Sequence, residues 1–339
     1  MKPATISVIF LLVLVSACRP EVGPPISLIS GPAILDVKGV PAEVDPTLGT
    51  LVAYEALAVD VNGRVPGPTA DITDALLWVM CDQPKPPTQN NAVSSNCLDP
   101  FLLPGVPGSS ATTYSAPAAL DSCSLFGPSV PQPTNGQPSI RPRDPDVTGG
   151  YYQPLRVELL VPEVLRRVGM STGDSLISFL LQRIQCGLAN AKLPDVLQYN
   201  RDYTLNNNPV LASLTVQGLG AAPVDVPATP VAGAPITVGT GQTISLVANW
   251  PAGSVERYPA LDVVTQQLVY HWESMRVSWY ATGGSFTHDI TGRGENENET
   301  TFAENTWKSN TPGLVHMWLV LHDARGGSDF AAFDFDVGP

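Results

Sequence analysis

The sequence predicts an all-β protein built as two β-sandwich domains, the first carrying a long proline-rich insertion. Three observations predict it. Proline makes up 34 of 339 residues, about twice its usual ~5% share, and proline breaks helix interiors. The patterned stretches are short, alternate apolar with polar residues and leave glycine turns, as half-buried strands do. One succession of three such stretches also occurs twice along the chain.

In the first half the succession starts after Pro32 with Leu35-Asp36-Val37-Lys38-Gly39. Gly49 follows, then Leu51–Val59, then Ala75–Cys81 around Trp78. In the second half Pro209 precedes Leu214-Thr215-Val216-Gln217-Gly218. Gly241 precedes Thr243–Ala248, and Met275–Tyr280 carries Trp279. The order each time is edge strand, core strand, tryptophan strand.

A buried tryptophan on the third strand resembles immunoglobulin-like (Ig-like) sandwiches. The second half, over 208–339, further resembles bacterial Ig-like and PKD-type domains. Its ending, TPGLVHMWLVLHDARGG then FAAFDFDV, is similar to their last two strands joined by an Asp-x-x-Gly-Gly turn. The long connection Ser254–Glu273 and the polar loop Gly292–Thr300 depart from the compact PKD pattern. The resemblance implies two Ig-like domains, at 28–206 and 208–339.

Residues 84–154 contain 14 prolines and read as an insertion in the first domain. RPRDPDVTGGYYQP cannot be helical, because Pro142, Pro145 and Gly149-Gly150 interrupt it. A structureless loop of this length is uncommon, so it is expected to pack on the sandwich. Leu155–Val161 then returns as a strand. Over Ser175–Ala191, Ile177, Leu180, Leu181, Ile184 and Leu188 have helical spacing. A strand ending at Cys186 fits the sandwich better and is the expectation.

The N-terminus reads as a processing segment. Lys2 is followed by a nearly unbroken apolar run from Ile6 to Val15, shorter than the ~20 residues a membrane span needs. It ends in Val15-Ser16-Ala17-Cys18, which resembles the lipobox of bacterial lipoproteins. That resemblance implies removal of residues 1–17, lipid on the Cys18 thiol and an acylated Cys18 amine. Two or more chains hold a protein stably on a membrane. Arg19, where an Asp would signal inner-membrane retention, points to the outer membrane. Pro20, Gly23, Pro24 and Pro25 make a short tether over 18–27.

Formal net charge is −13, and losing Lys2 makes the mature chain more acidic still. Such a chain repels phosphate backbones, so no nucleic-acid partner is expected. Hydrophobic residues at 43% against 14% charged exclude a wholly disordered chain. Beyond Cys18, the remaining cysteines are Cys81, Cys97, Cys123 and Cys186. An even number in an exported chain favours two disulfides, with three connectivities open. No CxxC pair is present, which ranks zinc ligation lower.

Strand parity identifies a candidate binding face. Val315, Met317, Leu319 and Leu321 should face the core, as should Ala331, Phe333, Phe335, Val337, Val277 and Trp279. The outer face then carries Arg276, Tyr280, His316, Trp318, His322, Asp334 and Asp336, with Phe330 beside them. Trp, Tyr, Arg and carboxylates there could stack on a glycan or anchor a protein. Exposure of Trp318 and Tyr280 in a groove would mark a sugar site. Burial of Trp318 at a domain interface would mark a structural role.

All four histidines, His271, His288, His316 and His322, lie in the second half. His316 and His322 are six residues apart on one strand, roughly 20 Å, too far to share a metal. Asp60-Val61-Asn62-Gly63 and Glu295–Glu299 lack the full spacing of a calcium loop. There is no H-E-x-x-H or P-loop motif. His322 and Asp323 should point to opposite strand faces. No catalytic residue, metal or cofactor is therefore expected. The expected protein is a lipid-anchored, non-catalytic binding, adhesion or envelope-structural module. The alternative is a carbohydrate-binding surface protein or unrecognised hydrolase using the outer face of domain 2.

Overall fold

The computed structural model describes residues 25–65, 76–86, 89–90, 93–98, 112–128, 150–160, 175–188, 191–228, 235–262, 264–297 and 299–339. The leader, Cys18, most of the tether and much of the proline-rich insertion lie outside the described residues.

The first lobe has two facing sheets. In one, β1 (Ala33–Val40) pairs antiparallel with β3 (Leu51–Asp60), which also pairs with β4 (Gly63–Arg64) and β6 (Thr113–Pro117). In the other, β2 (Glu43–Val44), β8 (Ser175–Gln185), β7 (Gly150–Leu160) and β5 (Leu76–Met80) lie in that order, with β2 parallel to β8. Thus the first strand is split: β1 serves one sheet and β2 the other.

The second lobe repeats this plan. One sheet runs β10 (Val224–Pro227), β9 (Ser213–Gln217), β12 (Thr243–Asn249), β18 (Phe302–Lys308) and β16 (Ser285–Phe286). The other runs β11 (Ile236–Gly239), β20 (Ser328–Gly338), β19 (Gly313–His322), β15 (Met275–Ala281) and β17 (Ile290–Arg293). Here too β9 is antiparallel to β12, while β11 is parallel to the last strand, β20. In both lobes the third long strand, β5 or β15, neighbours the penultimate one, β7 or β19. This is the strand order of Ig-like sandwiches.

Period-two burial builds both cores. In the first, Val52, Tyr54, Trp78, Leu155, Val157 and Ile184 interdigitate. In the second, Leu246, Val277, Trp279, Met317, Leu319 and Phe335 do so. Trp279 donates its indole N–H to Thr291 Oγ1 at 2.9 Å, so its burial leaves no unpaired donor. Residues 175–185 form a strand: Leu180 and Ile184 pack inward while Ile177 and Leu181 stay exposed. The disulfides are Cys81–Cys97 and Cys123–Cys186.

The connection Ser254–Glu273 contains a hairpin, β13 (Arg257–Asp262) with β14 (Gln267–Trp272). Among the described residues, two α-helices interrupt the strands: α1 (Ser122–Phe126), beside Cys123, and α2 (Leu193–Asp202). Pro194 in the first turn, Asp195 there and Arg201 in the last turn suit a helix start and end. Tyr199 of α2 is buried with Tyr203, Tyr258 and Ala260, joining the interlobe segment to the hairpin.

Candidate functional site

The sheet face singled out by strand parity is a junction. Register places Tyr280 opposite Trp318, Arg276 opposite His322 and His316 opposite Asp334. Trp318, however, is 1% exposed. It packs with Val320 against Ile29, Leu57 and Val59, flanked by Tyr280 and Phe330. The first lobe thus covers the centre of the face, and the seven candidate residues fall into three places. His316 and Asp334 form a pair at one end, 2.7 Å apart, with Gly63 of the first lobe beside the imidazole. Asp336 stands exposed beyond them, across from Leu314. Arg276 and His322 open into a cleft at the other end.

This covering was readable from the sequence. Strand β3 is apolar from Leu51 to Val59 but for Glu55, and it is buried on both faces over Ala56–Val59. Strand β19 likewise has apolar residues at outward positions, Trp318 and Val320. Loss of alternation marks a strand buried on both faces.

A polar network surrounds this apolar contact. The Asp323-x-x-Gly-Gly turn is shaped by the Asp323 carboxylate, which accepts from the backbone N–H of Arg325 and of Gly327, both at 2.8 Å. Gly326 sits at φ 92°, and a Cβ on Gly327 would lie 2.2 Å from the Asp323 carboxylate. Both positions therefore require glycine. The turn drives Arg325, fully buried, into the junction. There its Nε donates to Glu273 at 2.7 Å, Nη1 to the Thr204 carbonyl at 3.1 Å, and Nη2 to Glu256. Its guanidinium also lies over the Tyr258 ring, 4.9 Å from the centroid.

The first lobe supplies Glu43, also fully buried. Its carboxylate accepts from the Tyr203 hydroxyl at 2.6 Å and the Asn206 N–H at 2.9 Å, and pairs with Arg183 at 3.2 Å. Asn206 Nδ2 donates onward to Asp323 at 3.0 Å. Residues 203–206, which join the lobes, are held from both sides. Burial, then the nearby Asp323 charge, pushes the Glu273 carboxyl up to about 7 against the opposing pull of Arg325. Burial also raises Asp323 and Asp36 above the usual carboxylate range.

The cleft beside this junction measures about 700 Å³. Strand β1 lines one wall. Its register slips between Ile34 and Asp36, a bulge that re-aims the residues around it. Asp36 Oδ1 lies 3.7 Å from His322 Nε2, and its side chain is 9% exposed. Its other oxygen, Oδ2, is buried with no hydrogen-bond partner. Strand β8 lines another wall with four consecutive residues, Ser178–Leu181.

Among the described residues, no group of three or more His, Cys, Asp or Glu side chains could hold a metal ion. Asp60 instead accepts the Asn62 N–H at 2.7 Å in a turn. Glu295 pairs with His271 at 2.8 Å, and Glu297 accepts the Gly294 N–H at 2.8 Å. No described helix is long and apolar enough to cross a membrane.

Fold and junction together define a tandem of Ig-like sandwiches joined through a buried interface. No protein-family model and no curated protein matches the chain. Among solved structures, it is similar to the D00-D0 domain of Intimin, at 10% identity and TM-score 0.20, over 90% of this chain and 98% of that one. The D0-D1 domain of Intimin gives 8% identity and TM-score 0.20, over 90% and 99%. Domains 4 and 5 of the S-layer protein SbsC give 10% and 0.18, over 90% and 99%. At such scores these likenesses carry no argument, and the Ig-like assignment rests on the strand order.

Proposed function

We propose that this protein is a lipid-anchored, non-catalytic module of a bacterial envelope, holding two Ig-like lobes as one rigid unit for binding, adhesion or structural spacing. The observation that carries the reading is the junction. Trp318 and Val320 seal against Leu57 and Val59, and Arg325 and Glu43 tie the connecting segment to both lobes. A hinged pair of domains would leave such groups in water. The burial of Trp318 also removes the central stacking platform that a glycan site on this face would need. The anchor rests on the VSAC sequence at 15–18, with diacyl attachment giving stable hold on the outer membrane.

The test is Cys18→Ser in cells fed a labelled fatty acid. Loss of label together with release from the membrane fraction is the expected result. Unchanged membrane association would overturn the anchor.

A further inference from the structure

The cleft between the lobes contains an open strand edge. Strand β8 pairs with β7 along its whole length, Ser175 to Gln185. On its other edge, β2 covers only Arg183 and Ile184. No described strand pairs with that edge from Ser175 to Gln182. Side chains alternate across a strand, so four consecutive residues line a cavity only where the edge itself faces it. Ser178–Leu181 do so.

Natural proteins blunt such edges with lysine, proline or inward charges, because a bare edge templates pairing with another chain. The open stretch reads SLISFLLQ and has none of these. The first charge, Arg183, comes where β2 begins to cover the strand. Ile177 and Leu181 are exposed, at 41% and 40%, which offers an apolar seat for alternate side chains of an added strand. Across the cleft stands Asp36, nine-tenths buried, with Oδ2 unpaired. A buried carboxylate oxygen without a partner is costly unless something supplies a donor. The cleft lining carries the carboxylates Asp36 and Asp323 beside Arg276 and His322, so it is the unpaired Asp36 oxygen, and not net charge, that favours a cationic group on the partner.

We propose that the cleft binds an extended peptide segment of a partner protein, which adds as a strand to the open edge of β8 and places a lysine or arginine side chain on Asp36. Backbone pairing would supply affinity and the Asp36 contact specificity. A cavity of this size takes a short segment, on the order of four to six residues. This deepens the binding-module reading by giving its partner a chemistry. It is tested separately from the anchor, since fatty-acid labelling reads Cys18 alone.

The experiment uses the full chain in detergent, titrated with a seven-residue probe peptide of alternating valine and threonine with a central lysine. A twin peptide carries norleucine in place of lysine. The lysine probe should bind at least ~10-fold more tightly than its twin, a factor of ten being about 1.4 kcal/mol. Asp36→Asn should abolish the difference. Leu181→Lys, at an exposed position, should weaken both probes and stands as the test if Asp36→Asn does not fold. Amide exchange at 178–181 should slow when the lysine probe binds. Failure of both probes to bind, equal binding to wild type and Leu181→Lys, or binding without exchange protection would overturn the proposal. So would lysine amide alone binding as tightly as the peptide, which would make the cleft a small-amine site.

Discussion

In the first lobe the tryptophan strand β5 runs directly into Cys81 and its disulfide with Cys97. In the second, the matching strand β15 runs into the short strand β16, and the lobe has no cysteine. The two lobes share a split first strand and a central tryptophan, yet close their loops differently. Long connections cost chain entropy. The first lobe carries such connections between β5 and β7 and between β7 and β8. Disulfides tie these connections to the strands: Cys97 returns to the end of β5, and Cys123 of α1 is tied to the end of β8. The second lobe folds its longest connection into the β13–β14 hairpin. The lesson is that one sandwich plan tolerates long connections either by cross-linking them or by giving them a sheet of their own. In the second lobe the added sheet also builds the junction, where the hairpin contributes Tyr258.

The largest expected effect tests whether the lobes are independent at all. Arg325→Ala leaves the buried Glu273 and the partly exposed Glu256 without the guanidinium they share. Breaking a buried ion pair by removing one partner costs about 3–5 kcal/mol, and Glu273 is the fully buried partner here. Chemical denaturation should show one transition in the native chain and two in the variant, as the lobes uncouple. A single unshifted transition would mean the junction contributes nothing, and the lobes would then be separate domains in energetic terms.

Next comes the difference in stapling. The loops closed by Cys123–Cys186 and Cys81–Cys97 span 63 and 16 residues. The chain-entropy relation gives about 4 and about 3 kcal/mol. Paired Cys→Ser variants should therefore destabilise in that order. Hydrogen exchange should show β3 and β7 losing protection on reduction while β12 and β19 keep theirs. Equal loss in both lobes would break the comparison, since the second lobe has no thiol to reduce.

How much of this was legible follows the same division. The strands β1, β9, β12 and β15 were readable from their alternation and the proline or glycine signals beside them, and β3 and β5 as short apolar runs. The parity of β19 and β20 was readable for the same reason, and Met317 and Phe333 are core residues as that parity requires. The cover over Trp318 is a tertiary fact, signalled by the apolar run Ala56–Val59 in β3 and by Trp318 and Val320 at outward positions of β19. The roles of Arg325 and Glu43 were not legible. A lone arginine in a turn and a lone glutamate in a two-residue strand carry no local pattern, and only the meeting of distant segments buries them. The cysteine pairing likewise needed the fold, since spacing left three connectivities open.

The smallest expected effect concerns the buried carboxyls of the junction. Burial and Asp323 raise Glu273 from 4.5 to about 7. A carboxyl with a raised folded-state pKa binds more protons folded than unfolded throughout that window. Stability therefore falls as pH rises from about 4.5 to about 7, and the contribution is fully present only below the unfolded value. The shift corresponds to at most about 3 kcal/mol. Asp323 and Asp36 are raised as well, so they act in the same direction. Denaturation at a series of pH values should show this slope in the native chain, and Glu273→Gln should flatten it while leaving the response to reductant unchanged. A slope of opposite sign would mean that Arg325 outweighs burial and holds Glu273 ionised. The junction would then be held by an ion pair throughout, and the contrast with the disulfide-closed lobe would be one of chemistry alone, without a pH response to separate them.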